Sequence, residues 1–240
     1  MSMRNFLLRI INLFYPNTCS SCGEDLHALL KTKICDKCKK AFPAIKGLVC
    51  QKCGMPLPDG GEFCYMCRKY PREHNFDKMR SVYLYKNNVR KLILKFKYSN
   101  RAFLAKDFGL FMYETMKNYS FYDETDFMIP VPLNILRRIK RGYNQAELLA
   151  EVLSLKSNVP VLKNVLFRKK ITKQQFKLSK IERAKNIKDS FSVKNNEFVK
   201  DKIILLIDDI ATTLATISAC SLVLKRAGAK KVYALTFARD

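Results

Sequence analysis

Eight of the nine cysteines stand in four Cys-x-x-Cys pairs: Cys19/Cys22, Cys35/Cys38, Cys50/Cys53 and Cys64/Cys67. Each such turn puts two thiolates on one side of a tight loop, and two turns complete the four-thiolate tetrahedral shell of a structural zinc. The intervals, 12 residues between the first two pairs and 10 between the last two, suit a hairpin joining two knuckles. Eight ligands make two zinc ions. Pairing in chain order is the simplest arrangement, and a cross-braced pairing satisfies the same spacing. Gly23 and Gly54 follow their pairs closely, where the turn calls for positive φ. Redox-active thiols are the competing use of these residues. With both shells closed by cysteine, His27 and His74 are expected to be surface residues.

A second constellation lies at Ile203-Ile204-Leu205-Leu206-Ile207-Asp208-Asp209-Ile210-Ala211-Thr212-Thr213-Leu214-Ala215-Thr216. Two carboxylates close an apolar strand, and a Thr-rich turn leads into a helix. Ligands of open α/β sheets bind at the carboxyl ends of strands. A helix N-terminus offers unpaired N–H groups and the positive end of a dipole, which suit a phosphate. Thr212, Thr213 and Thr216 add hydroxyl donors. Asp208 and Asp209, acceptors only when ionised, suit vicinal sugar hydroxyls. One ligand carrying a ribose and a 5′-phosphate satisfies both halves. The plainer alternative is that the acids cap the helix and the threonines turn the chain.

The elements that would hold these groups follow from periodicity. Residues 16–67 carry four prolines and five of the eight glycines and few long apolar runs, as a metal-organised module would. From Ser81 the texture changes. Val82 to Tyr85 predicts a strand. Val89, Leu92, Ile93 and Phe96 fall on one face of a helix, and 101–118 predicts another. Phe127 to Val131 predicts a short buried strand. Asn144 with Glu147 predicts a capping box opening a helix through about Leu155. Ile203 to Ile207, a helix stopped by Gly228, and Val232 to Ala238 form a βαβ unit of a parallel sheet.

With 48% hydrophobic residues the chain is neither disordered nor collagen-like. No window reaches the roughly 18 apolar residues of a membrane span. Met1 to Tyr15 is apolar but broken by Arg4 and Arg9, and reads as a short helix rather than a signal peptide. Free clustered thiols in a reducing compartment point to the cytoplasm.

The acid pair and threonine loop resemble the phosphoribosyl pyrophosphate motif of type I phosphoribosyltransferases. Pro130-Val131-Pro132-Leu133, Arg141-Gly142-Tyr143-Asn144-Gln145-Ala146, Thr172-x-x-Gln175-x-x-Leu178 followed by Arg183, Asn186 and Phe191, and Lys95-Phe96-Lys97-Tyr98 are similar to the signature of the ComF (GntX-like) competence family. The resemblance runs from about Pro16 to the end. It implies an α/β fold: a parallel-sheet type I phosphoribosyltransferase-like domain at 76–240, preceded by an N-terminal helix and small double zinc ribbon at 1–75. It also implies binding of phosphoribosyl pyrophosphate with Mg²⁺, Asp208 and Asp209 holding the ribose hydroxyls. Ala211, Thr212, Thr213, Leu214, Ala215 and Thr216 would hold the phosphate. Arg137 and Arg141, in the loop after the Phe127 strand, would serve the pyrophosphate, and Asn144 would join them. One departure stands out: Leu214 occupies the loop position that the family fills with Gly. A Leu there costs on the order of 1–3 kcal/mol of backbone strain, which translates to roughly 5- to 150-fold in phosphate affinity.

The formal net charge of +24 favours anionic partners. Residues 163–188 hold ten Lys/Arg against Glu182 alone, and 86–106 hold seven with no acid. The first segment suits either a hood over the site, with Thr172, Gln175, Arg183 and Asn186 as contacts, or a track for a single-stranded DNA backbone on which Phe167 and Phe176 stack bases. Three functions are consistent with these residues: a transferase acting in natural transformation, a non-catalytic DNA-binding adaptor meeting DNA-uptake or recombination proteins, and a sensor of the sugar phosphate.

Overall fold

The computed structural model describes residues 17–27, 32–71, 73–169 and 190–240. The N-terminal helix expectation and the Thr172-to-Asn186 contacts lie outside these residues. Four strands, β1 (Lys78–Leu84), β2 (Phe127–Pro130), β5 (Ile203–Ala211) and β6 (Lys231–Arg239), form one sheet in the order β1-β6-β5-β2, with every neighbouring pair parallel. A parallel bridge between Met128 and Val161 extends it beyond β2. A separate antiparallel pair joins β3 (Leu166–Arg168) to β4 (Phe191–Val193), two short strands that the sequence did not announce.

The helices are α1 (Asp36–Ala41) and α2 (Tyr65–Lys69) among the cysteines, then α3 (Asn87–Tyr98), α4 (Leu104–Lys117), α5 (Ile135–Arg141), α6 (Gln145–Ser157) and α7 (Ala215–Arg226). Both faces of the sheet are covered, so its central strands are apolar on both sides. Ile203, Leu205 and Ile207 join a buried cluster with Phe96 of α3, Phe108 of α4 and Leu149 of α6. Ile204 and Leu206 join a second cluster with Ile217 and Leu224 of α7 and with Cys50, Cys53 and Cys67. Gly109 sits mid-helix in α4 because a Cβ there would lie 2.5 Å from Val152 Cγ1 of α6.

The cysteine module is fastened to this sheet. Its chain pairs along the outer edge of β1: Ile45 N–H donates to Val82 O (3.0 Å), Leu84 N–H to Pro43 O (2.9 Å) and Met79 N–H to Lys52 O (2.8 Å). An edge strand covered this way is closed to pairing with other chains. Gly54 (φ +70°) passes so close to β1 that a Cβ would lie 2.7 Å from Met79 O. On the first ribbon, Asp107 of α4 accepts from Thr32 Oγ1 (2.6 Å) and Lys33 N–H (2.8 Å).

Candidate functional site

The cysteines form two groups of four, Cys19/Cys22/Cys35/Cys38 and Cys50/Cys53/Cys64/Cys67, in which all sulfurs lie within 4.8 Å of one another. Pairing therefore follows chain order, and the cross-braced alternative is set aside. Cys22 and Cys35 sulfurs are 3.8 Å apart, and those of Cys53 and Cys64 are 3.6 Å apart. A tetrahedron with metal–sulfur bonds of about 2.3 Å has edges of about 3.8 Å, so the residues fit zinc. Backbone amides already point at the sulfurs: Cys35 N–H to Cys19 Sγ (3.3 Å) and Cys38 N–H to Cys35 Sγ (3.4 Å). Gly23 and Gly54 have positive φ, as the knuckle turns require. Neither histidine belongs to a cluster among the described residues.

Zinc held by four thiolates would be a dianion. Two buried arginines from the sheet meet the second ribbon. Arg80 Nη1 donates to Gln51 O (3.2 Å) and Cys50 O (3.4 Å), and Arg239 Nη1 donates to Cys53 O. These guanidinium groups were not singled out from the sequence.

The second constellation sits at the carboxyl edge of the sheet. The acids do not end β5. The strand continues to Ala211 because β6 is equally long and keeps pairing with it, Asp208 opposite Thr236 and Ala211 opposite Arg239. Successive side chains of a strand point to opposite faces. Asp208 therefore faces α7 and Asp209 faces α3. Asp209, 4% exposed, pairs through Oδ1 with Lys97 Nζ at 2.9 Å. Asp208 accepts from the Asp209 amide at 2.8 Å. Burial, reinforced by the neighbouring Asp209 charge, pushes the Asp208 carboxyl up to about 7, while Lys97 and Arg168 pull it down.

Between β5 and α7 lie exposed Thr212 and Thr213 and buried Leu214. Ala215 and Thr216 open α7. Leu214 takes φ 60°, ψ −3°, the left-handed conformation that favours glycine. Its side chain is buried in the same cluster as Phe191 and Ile217. The amides of Thr212, Thr213 and Leu214 have no hydrogen-bond acceptor among the described residues. The turn thus leaves N–H groups unpaired at the positive end of a 12-residue helix, beside Asp208.

The segment expected as a loop after β2 is the helix α5, capped by Asn134, whose Oδ1 accepts from Leu136 N–H (3.0 Å), and stopped by Gly142 at φ +79°. Arg137 is exposed, and its charge acts on Arg168 of β3. Burial, joined by Arg137, lowers the Arg168 pKa, and Asp208 opposes the fall. Arg137, Arg168 and Asp208 are therefore electrostatic neighbours. Arg168 was visible only as one member of a basic run. Beside it a cavity of about 250 Å³ is lined by Pro130, Asn144, Phe167 and Arg168.

Arg141 turns to the other face. Its Nη1 donates to Gln145 Oε1 (3.0 Å) and its Nη2 to Tyr98 OH (3.1 Å). Asn144 spends its side chain on the chain itself: Oδ1 accepts from Ala146 N–H (3.1 Å) and Nδ2 donates to Val131 O (3.1 Å). Only half of the expected capping box forms, because Glu147 pairs with Arg138 at 3.2 Å instead of returning to the cap.

Residues 10–68 match the family model described as a double zinc ribbon domain. The chain is 31% identical over 231 residues to competence protein F of Haemophilus influenzae, covering 94% of this chain and 98% of that one. The chain belongs to the competence protein F family. Competence protein ComFC of Bacillus subtilis is 30% identical, with 87% of this chain and 85% of that one aligned. DNA utilization protein YhgH of Escherichia coli K12 is 28% identical, with 92% and 96% aligned. Among solved structures, the fold is similar to glutamine phosphoribosylpyrophosphate amidotransferase from B. subtilis (TM-score 0.42, 15% identity, 60% of this chain and 30% of that chain). No described helix is long and apolar enough to cross a membrane.

Proposed function

We propose that this competence-family protein binds phosphoribosyl pyrophosphate with Mg²⁺ at the turn between β5 and α7, and that it acts in the cytoplasm on DNA taken up during natural transformation. The observation that carries the pocket is Leu214: its left-handed backbone lies in a turn whose three adjacent amides have no acceptor among the described residues, at a helix N-terminus and next to a carboxylate. Those amides, with the Thr212, Thr213 and Thr216 hydroxyls, would take the 5′-phosphate. Asp208 would accept from a ribose hydroxyl. Asp209, already paired with Lys97 on the far face, positions that lysine instead of gripping the sugar beside Asp208. Arg137 and Arg168 would neutralise ligand charge around Asp208. Magnesium, held by the pyrophosphate oxygens, would supply further charge neutralisation. The ribbon module and the sheet, divided at about residue 75, act as support and site respectively.

The DNA part rests on the relatives' names and on α5, which presents Arg137, Arg138 and Lys140 to solvent on a chain of net charge +24. Phosphate-backbone contacts predict affinity that falls steeply with salt.

Calorimetric titration of phosphoribosyl pyrophosphate with Mg²⁺ tests the pocket. One binding event is expected for the wild type. Thr213→Asp, an exposed change that puts a like charge at the phosphate, should weaken it by about tenfold or more. No binding by the wild type refutes the proposal. Pyrophosphate release with an added base separates a transferase from a sensor.

A further inference from the structure

Arg239, in β6, is 2% exposed, and its Nε has no hydrogen-bond partner among the described residues. Fully buried arginines are rare unless paired, because an uncompensated charge is expensive to take out of water. Among the described residues Arg239 has no carboxylate within ion-pair distance and no aromatic ring beneath its guanidinium. Arg80, the other buried arginine at the ribbon, does have rings: its guanidinium lies 4.7 Å from the Tyr119 centroid and 5.3 Å from that of Phe121. What Arg239 meets is the second ribbon. Its Nη1 donates to Cys53 O, and Cys53 is 1% exposed. Burial pushes the Cys53 thiol up, and the Arg239 charge opposes it. Four thiolates around a zinc ion would carry two negative charges, the anion this guanidinium otherwise lacks. The backbone of the same residue is stitched to the phosphate turn. Arg239 stands opposite Ala211 in the β5–β6 register, and the next amide, Asp240 N–H, donates to Ala211 O (3.0 Å). Tyr85 N–H donates to Arg239 O (2.6 Å) and holds the strand end from its other side. Ala211 directly precedes Thr212, the first of the three amides of the turn.

We propose that Arg239 is the counter-charge of the second zinc–thiolate centre and, through Ala211, a positioning residue for the β5–α7 turn, so that filling of the second zinc site and sugar-phosphate affinity are coupled. This rests on the reading that the turn binds a sugar phosphate. With the ion bound, the guanidinium is neutralised where it lies and the end of β6 stays against β5. Without it, Arg239 is a buried charge facing no opposite charge. The strand end must then shift to hydrate it, and Ala211 shifts with it. The first ribbon is fastened through Asp107 of α4 instead, so its ion carries no such coupling.

The test uses the full-length zinc-loaded protein. Competition with a chromogenic chelator reads the affinity of each ion, and calorimetric titration reads ribose 5-phosphate binding. Arg239→Met removes the charge and keeps an extended side chain; Arg239→Lys keeps the charge. In Arg239→Met one of the two ions is expected to bind about tenfold or more weakly, as for groups that support a metal's ligands. Its ribose 5-phosphate affinity should fall about fivefold or more. Arg239→Lys should recover most of both. Adding Cys64→Ser to Arg239→Met takes away the second site and should leave a single ion held as in the wild type; a weakened ion there would mean that Arg239 acts on the first ribbon, against the proposal. Coupling is reciprocal, so saturating ribose 5-phosphate should tighten the second ion of the wild type by the factor that losing this ion costs the sugar phosphate. A residue that only packs would lower Tm in Arg239→Met and leave both affinities unchanged, which overturns the proposal. A weakened second ion with unchanged ribose 5-phosphate affinity overturns the positioning role and supports the counter-charge alone. A wild type that does not bind ribose 5-phosphate overturns the turn as a site, while the zinc measurements still decide the counter-charge.

Discussion

Replacing Leu214 by Gly separates the two things this residue does. Its backbone sits in the left-handed region, which costs a branched L-residue about 1–2 kcal/mol relative to Gly. Its side chain is 7% exposed, and withdrawing a leucine of that burial costs about 1.5–3 kcal/mol. Gly adds roughly 0.5–1 kcal/mol through the freedom it gains on unfolding. The loss outweighs the relief by about 1.5 kcal/mol on central values. In a chain of this length that lowers Tm by about 3–6 °C. The backbone already follows the glycine-like path, at φ 60°, so sugar-phosphate affinity should change by less than about threefold. Differential scanning calorimetry and isothermal titration on the same preparations read both quantities. A rise in Tm would show that strain, not burial, dominates at Leu214. A gain in affinity of about tenfold or more would show that the side chain obstructs the phosphate.

Asp208 provides a pH test. Its carboxyl, raised from 3.8 to about 7, makes the folded state hold a proton that the unfolded state releases, so its contribution to stability is present below about 4 and lost as pH rises through about 7. Asp208→Asn should flatten that part of the stability profile, and ligand affinity in the wild type should rise across the same window as the carboxylate forms; matching profiles in the two proteins would contradict the assignment. Metal analysis should find about two zinc ions per chain. Removing them should lower Tm, with Cys53→Ser (1% exposed, its carbonyl bonded to Arg239) more damaging than Cys22→Ser, which is exposed; the reverse order would argue against the second ribbon as the one tied into the sheet. Gly54→Ala, whose Cβ would lie 2.7 Å from Met79 O at φ +70°, should destabilise by about 2 kcal/mol, or about 4–8 °C in Tm; an unchanged melting curve would mean the ribbon and β1 can separate freely.

The chemistry-bearing groups were readable because they are local. Four Cys-x-x-Cys turns, an apolar run ending in two acids, and a threonine turn into an amphipathic helix each declare themselves within a few residues. What was not readable depends on partners far along the chain. Asp208 and Asp209 looked like a pair because the strand was expected to stop at Ile207; the length of β6 carries β5 on to Ala211 and sends the two carboxylates to opposite faces. Lys97 was one of seven Lys/Arg in its segment until α3 packed it onto Asp209. β3 and β4 are three residues each, too short for any periodicity, and they meet across 22 intervening residues. Arg80 and Arg239 lie on strands that read as ordinary, and their contacts with the ribbon carbonyls exist only once the ribbon docks on the sheet. Leu214 was expected to resist a left-handed turn; burial of its side chain offsets that cost.

The most direct measurement is a crystal structure of the zinc-loaded protein soaked with phosphoribosyl pyrophosphate and Mg²⁺. The 5′-phosphate is predicted to lie within hydrogen-bond distance of the Thr212, Thr213 and Leu214 amides, with a ribose hydroxyl on Asp208. A saturating soak that leaves those amides on water alone, or seats the phosphate elsewhere, contradicts a sugar-phosphate site at the β5–α7 turn.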